Sequence, residues 1–191
     1  GWLLQTFCES AFTFQITVDP FATQDFIALP SAANPTISMV PGDPAHWKAV
    51  LPTLRRPGET FRLSIKGDDR WGNPSNRLTG KIKLKTNLPV TGLAEIIDLK
   101  AGDFGVVIDG LSVESSGVLH LTVLDEDDQL IATANPLVIR QADAAHFWSD
   151  MHAQSGETIG VGTAREYFDF ARNKAFLDIA GHQGNDFQIT D

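Results

Sequence analysis

Residues 146–182 decide how the chain is read. They run His146-Phe147-Trp148-Ser149-Asp150-Met151-His152, then a glycine-rich loop from Ser155 to Gly162, then Thr163-Ala164-Arg165-Glu166-Tyr167-Phe168-Asp169-Phe170-Ala171-Arg172, and finally Phe176-Leu177-Asp178-Ile179-Ala180-Gly181-His182. The first run is short and apolar enough for a strand, and Phe176 to Ala180 reads as a second one. Thr163 stands three residues before Glu166, the spacing at which hydroxyl and carboxylate cap a helix reciprocally. Ala164, Tyr167, Phe168, Ala171 and Ala175 follow at helical spacing and predict one buried stripe. Strand, loop, helix and strand in this order make a β-α-β unit with parallel strands. Parallel neighbours place their C-terminal ends side by side, where α/β enzymes build their sites. His152 and His182, thirty positions apart, are thereby expected on one rim.

Upstream, the dominant period is two rather than 3.6. Phe12, Phe14, Ile16 and Val18 alternate with polar residues until Asp19-Pro20 ends the run. Phe61, Leu63 and Ile65 alternate with Arg62, Ser64 and Lys66; Ile82 and Leu84 with Lys81, Lys83 and Lys85; Leu119, Leu121 and Val123 with Val118, His120 and Thr122. Turn clusters separate these runs, among them Val40-Pro41-Gly42-Asp43-Pro44, Gly67-Asp68-Asp69-Arg70-Trp71-Gly72-Asn73-Pro74 and Asp125 to Asp128. Short, punctuated strands of this kind predict an immunoglobulin-like antiparallel β-sandwich over residues 10–140, each strand with one core face and one solvated face. The fold expected is therefore mostly β, with the β-α-β unit at 146–191 as a second, incomplete domain. The lysines and Arg62 are read as solvated sheet faces that discourage edge pairing. Trp71 is read as a packed turn anchor, His46 as a packing residue and His120 as outward-facing. The acidic turns are read as turn chemistry, since neither has the spacing of a calcium loop.

Composition narrows the function classes. The formal net charge of -9 over 191 residues disfavours general nucleic-acid binding, which draws its affinity from basic surface. It leaves room for a local cation site. The single cysteine, Cys8, excludes an internal disulfide framework. The sequence holds no apolar run long enough for a transmembrane helix and no recognisable signal peptide, and the compartment stays open. Beginning at Gly1-Trp2-Leu3 and closing on Gln188-Ile189-Thr190-Asp191 just past the candidate rim, the chain reads as an excerpt, which by itself is expected to be catalytically inactive.

Asp150-Met151-His152-Ala153-Gln154-Ser155, the helix 164–172 and Phe176 to His182 together resemble the opening of a PHP domain, of the polymerase and histidinol phosphatase superfamily. The similarity is greatest to an uncharacterised PHP-like family in which a segment resembling "HAQSGETIG" precedes one resembling "GHQGNDFQITD". The resemblance spans residues 146–191, and a looser one extends over the upstream sandwich. It implies a distorted (β/α) barrel holding divalent metal ions (Mn, Zn or Fe) and a phosphoester or other small-molecule substrate. His152 matches the first histidine of the family's His-x-His motif and His182 the histidine after the second strand. Gln154 occupies the place of the second histidine, while Ile159 and Gly181 stand where the family carries aspartates. Glu157 and Asp186 are candidates for the missing carboxylates.

The chemistry the residues suggest follows from their types. Imidazoles and carboxylates from separate strand ends can fix a cation that acidifies a bound water and polarises an ester oxygen. The metal ligands expected are His152, His182, Gln154 and Asp186. Asp150, as an acceptor that orients a ligand, and Glu157 are the catalytic candidates. Ser155 and Thr158 are placed to contact substrate. Two other readings are open: a β-sandwich that binds carbohydrate or protein beside a degenerate barrel, and a purely structural module. An isolated β-α-β unit cannot cover its own strands, so residues 146–191 are expected to pack poorly without a partner.

Overall fold

The computed structural model describes residues 3–183. Strands β1 (Glu9–Thr13), β2 (Thr17–Val18), β3 (Ile27–Ala28) and β4 (Thr36–Met39) come first, followed by β5 (His46–Val50), β6 (Leu54–Arg55) and β7 (Phe61–Asp68). Next come β8 (Lys81–Thr86), β9 (Ile96–Asp98), β10 (Val106–Leu111), β11 (Gly117–Leu119), β12 (Leu121–Leu124), β13 (Leu130–Thr133) and β14 (Leu137–Ile139). The C-terminal part holds β15 (Ser149–Ala153), the helix α1 (Ala164–Asn173) and β16 (Ile179–His182).

The fold is mostly β, built from antiparallel sheets around one core, and is consistent with a β-sandwich. One sheet has the order β10-β7-β5, a second β13-β12-β8-β9 and a third β11-β14-β6. Antiparallel pairing dominates, with one exception in this part of the chain: β14 runs parallel to β6, with Val138 beside Leu54. The period-two residues close the core as their alternation requires. Phe61, Leu63 and Ile65 from β7 meet Ile82 and Leu84 from β8 and Leu119, Leu121 and Val123 from β11 and β12, all in one buried cluster. On the outer face of β8, Lys81 pairs with Asp98 and Lys83 with Asp128. His120 is exposed, as its place between Leu119 and Leu121 requires, and it marks the break between β11 and β12. Asn87 fills that break: its side chain accepts the His120 N–H and donates to the Val118 carbonyl.

The outer face of β7 departs from the solvated face that Arg62, Ser64 and Lys66 suggest. Arg62 is exposed, but Ser64 is buried and the Lys66 side chain is only 11% exposed. Two features cause this. Lys66 and Lys48 both reach Asp68, a carboxylate 1% exposed, at 3.1 and 2.7 Å. In addition, the C-terminal unit lies over this face, bringing Trp148 and Phe176 near Ser64.

Three further expectations change. The run Phe12 to Val18 is not one core strand: β1 pairs with β4, and β2 with β3, in two small sheets whose apolar residues are half-buried or exposed. Alternation predicted the extended backbone correctly, but says nothing about which surface a strand face will find. His46 is exposed at the start of β5, while its neighbour Trp47 packs against the core. Trp71 is 58% exposed with the Arg70 guanidinium 4.6 Å from its ring, so the turn is anchored otherwise. The anchor is Asp69, whose carboxylate accepts backbone N–H groups of Gly42, Trp71 and Asn73 and the Asn73 amide. Asp125 organises its turn in the same way, accepting from Asp127 and Gln129.

Candidate functional site at the β15–β16 rim

The C-terminal unit forms in the order expected. β15 and β16 are parallel neighbours, Ser149 beside Ile179 and Ala153 beside His182, with α1 between them in sequence. Both halves of the capping box are present: the Thr163 hydroxyl accepts the Glu166 N–H at 3.2 Å, and the Glu166 carboxylate accepts the Thr163 N–H at 2.7 Å. Those bonds from Thr163 hold the Glu166 carboxyl below its ordinary range. Along the helix, Ala171 is buried and Tyr167 half-buried, while Phe168 remains 44% exposed, so the buried stripe is narrower than its spacing suggests. The second strand begins at Ile179 rather than Phe176. Phe176 stands in a left-handed turn at φ 61° with its ring buried, an anchor and not a strand residue.

Several contacts join this unit to the sandwich. The Trp148 indole N–H donates to the Leu51 carbonyl at 2.8 Å. Within the unit, the Trp148 backbone exchanges two hydrogen bonds with Asp178, one to its carboxylate and one from its N–H, both 2.9 Å. The Phe176 ring lies over Gly105, where a Cβ would come within 2.7 Å of it. Lys174 sets its ammonium 4.3 Å from the Phe104 ring. Arg55 donates to the His146 carbonyl and Arg56 to that of Ala142. The unit is therefore anchored through its crossover, although Met151, Phe170 and Ile179 stay exposed.

At the rim, β15 carries one more residue than β16 between paired positions: Asp150 pairs with Ala180 and Ala153 with His182. Met151 and His152 together stand opposite Gly181, the geometry of a β-bulge. A Cβ on Gly181 would meet Met151, which marks the face these residues share. His182, aligned with Ala153, projects from the other face, where its ring lies 6.1 Å from Tyr167 and 6.3 Å from Phe168. The two histidines thus occupy one rim, His152 within the bulge and His182 beside Tyr167 and Phe168. His152 is exposed; His182 is half-buried.

The other candidates are engaged as follows. Asp150 accepts the backbone N–H of His152 and so shapes the bulge rather than touching an imidazole. It also helps raise the Tyr167 phenol, after burial, which contributes more. Glu157 points its carboxylate at the first turn of α1, 3.4 Å from the Ala164 N–H. Gln154 is half-buried beside the loop. Asp186 lies outside the described residues. Thr158 donates its hydroxyl to the Ser155 carbonyl. Ser155 is fully buried, and its hydroxyl lies 2.9 Å from His182 Nε2 while accepting the Glu157 N–H at 3.2 Å. This Ser155–His182 pair was not legible in the sequence, because a serine in a glycine-rich loop ordinarily faces water.

Among the described residues no three His, Cys, Asp or Glu side chains converge. The donors at the rim are nitrogen and oxygen atoms of the kind that suit a borderline or hard divalent cation, with His152 the one on the open face. A cleft of about 640 Å³ lies elsewhere, between α1 and the sandwich, lined by Arg55, Arg62, Asp109, Phe168, Arg172 and Asp178 among others. Its guanidiniums are largely committed, Arg62 to Asp109 at 2.7 Å and Arg55 to backbone carbonyls. No helix among the described residues is long and apolar enough to cross a membrane. No family model matches the chain, and no curated protein matches it.

Proposed function

We propose that the chain contributes to a metal-dependent hydrolase of PHP type, acting on a phosphoester or a related small ester, with its centre at the C-terminal rim of β15 and β16. The observation that carries this reading is the parallel pairing of the two strands. It sets His152, the loop 154–163 and His182 at one end of the unit, as such enzymes require. In this reading the upstream strands form an immunoglobulin-like sandwich that carries the barrel's first unit.

His152 and Gln154, joined by Asp186 from outside the described residues, would hold the cation. When bound, such an ion acidifies a water and polarises an ester oxygen. The chain's own contribution is positional. Asp150 accepts the His152 N–H within the bulge, while Thr163 and Glu157 take the Glu166 and Ala164 N–H groups at the start of α1. The carboxylates of Glu157 and Glu166 there disfavour a phosphate at the helix start.

The test is metal retention, since turnover is not expected of the chain alone: wild type and His152→Ala are loaded with Mn(II), passed through gel filtration and read by elemental analysis. Bound metal in wild type that falls at least tenfold in the variant supports the proposal. No retained metal in wild type, or equal metal in both proteins, opposes it.

One observation favours a binding reading beside this one. A cleft of about 380 Å³ is lined by Trp47, Trp148, Phe176, Thr133 and Asn135, among others. Aromatic walls with a polar rim suit a planar apolar ligand or a sugar face.

A further inference from the structure

We infer that Ser155 holds His182 as the Nδ1–H tautomer, so that His182 serves the rim as a hydrogen-bond donor to an anionic ester oxygen and not as a metal ligand. Its role at the rim rests on the hydrolase reading above; its tautomer does not.

The inference follows from counting protons and lone pairs at a buried hydroxyl. Ser155 is 0% exposed, so its O–H must find an acceptor within the protein. Its oxygen accepts the Glu157 N–H at 3.2 Å and stands 2.9 Å from His182 Nε2. If Nε2 carried the proton, the hydroxyl would receive two donors and its own hydrogen would have no acceptor among the described residues. If Nε2 carries the lone pair, the hydroxyl donates to it and every group is satisfied. The neutral imidazole then keeps its proton on Nδ1.

This assignment changes what His182 can do. A cation needs a lone pair, and the one on Nε2 is taken by Ser155. Nδ1 presents an N–H, which suits a phosphoryl or carboxyl oxygen. The surroundings agree with this division of labour, since His152 is exposed while His182 is half-buried with its ring beside Tyr167 and Phe168. Ser155 is then a positioning residue, acting only through the imidazole.

The test uses the full chain labelled with ¹⁵N-histidine. In metal-free wild type, long-range proton–nitrogen correlation spectra should show His182 protonated at Nδ1; a proton on Nε2 overturns the inference. Titration with inorganic phosphate should shift the His182 resonances, and Zn(II) should shift those of His152 while leaving the His182 tautomer in place. A coordination shift at either His182 nitrogen overturns the donor role. If neither probe perturbs either ring, the rim itself is not a site and the donor role falls, while the tautomer is still decided by the metal-free spectrum. Ser155→Ala should move the His182 population toward Nε2–H and weaken the phosphate response about tenfold. Unchanged tautomer populations in a folded Ser155→Ala protein would contradict the lock.

Discussion

The indole N–H of Trp148 donates to the backbone carbonyl of Leu51 at 2.8 Å, joining the residue before β15 to the core of the sandwich. Leu51 is itself held, because Asn135 donates to the same carbonyl and accepts the Leu51 N–H. The candidate rim is thereby tied to the buried core of the sandwich through one aromatic side chain. Trp148→Phe keeps most of the ring but removes the bond, and should cost about 1 kcal/mol. Hydrogen exchange will show where that cost falls: protection should drop across residues 146–183 and stay unchanged in β7 and β12. Equal loss in both regions would mean that Trp148 supports the whole fold.

A second contact tests the same docking from the other side. Gly105 lies under the Phe176 ring, and a Cβ there would also come within 2.6 Å of the Ile65 carbonyl. Gly105→Ala should therefore destabilise the chain by about 1–3 kcal/mol, the usual cost of overpacking. Phe176→Ala should remove the overlap with the ring, so the double variant should lose less than the sum of the two singles. Denaturant unfolding of the four proteins measures the coupling. Strict additivity would place Phe176 away from Gly105.

The turn at Asp69 gives a pH dependence. Burial alone would raise this carboxyl, but hydrogen bonds from Asn73, Gly42 and Trp71 outweigh it and hold the group at about 2, below its ordinary 3.8. A folded-state value below the unfolded one means that the ionised form favours the native state. The stabilisation is complete above about 4 and is lost as the pH falls toward 2. Asp69→Ala should cost about 2 kcal/mol at neutral pH through several lost hydrogen bonds. It should also remove that acid-limb loss from a plot of unfolding midpoint against pH. A variant with the wild-type acid limb would assign the loss to other carboxylates.

Sequence pattern revealed the strands of the core, the capped helix and the parallel β15–β16 pair, because each has a local signature: alternation, the Thr163–Glu166 spacing, and element order. It did not reveal what lies on what. Phe12 and Phe61 share the same alternation, yet Phe61 enters the core and Phe12 sits half-buried in a two-stranded sheet. The covered face of β7 was hidden for the same reason, since Ser64 is buried near Trp148 and Phe176, residues remote in sequence, and Lys66 is held largely out of solvent by its ion pair with Asp68. At the rim, His152 and His182 were legible as residues but their surroundings, a bulge for one and the Tyr167 and Phe168 rings for the other, were not. A single extra residue in β15 decides them, and a bulge leaves no mark in hydrophobic pattern. Residues 146–183 keep much apolar surface exposed, Phe147, Met151, Phe168, Phe170 and Ile179 among it, and their anchors to the sandwich are one indole N–H and one buried Phe176 rather than a stripe.

The most direct test of the rim as a metal-dependent centre is calorimetric titration of Mn(II) into the wild-type chain, His152→Ala and Ser155→Ala. The expected result is saturable binding to wild type, at least a tenfold loss of affinity in His152→Ala, and affinity within about threefold of wild type in Ser155→Ala. Absence of binding to the wild-type chain, or equal binding by wild type and His152→Ala, would contradict a cation site on the open face of β15 and β16.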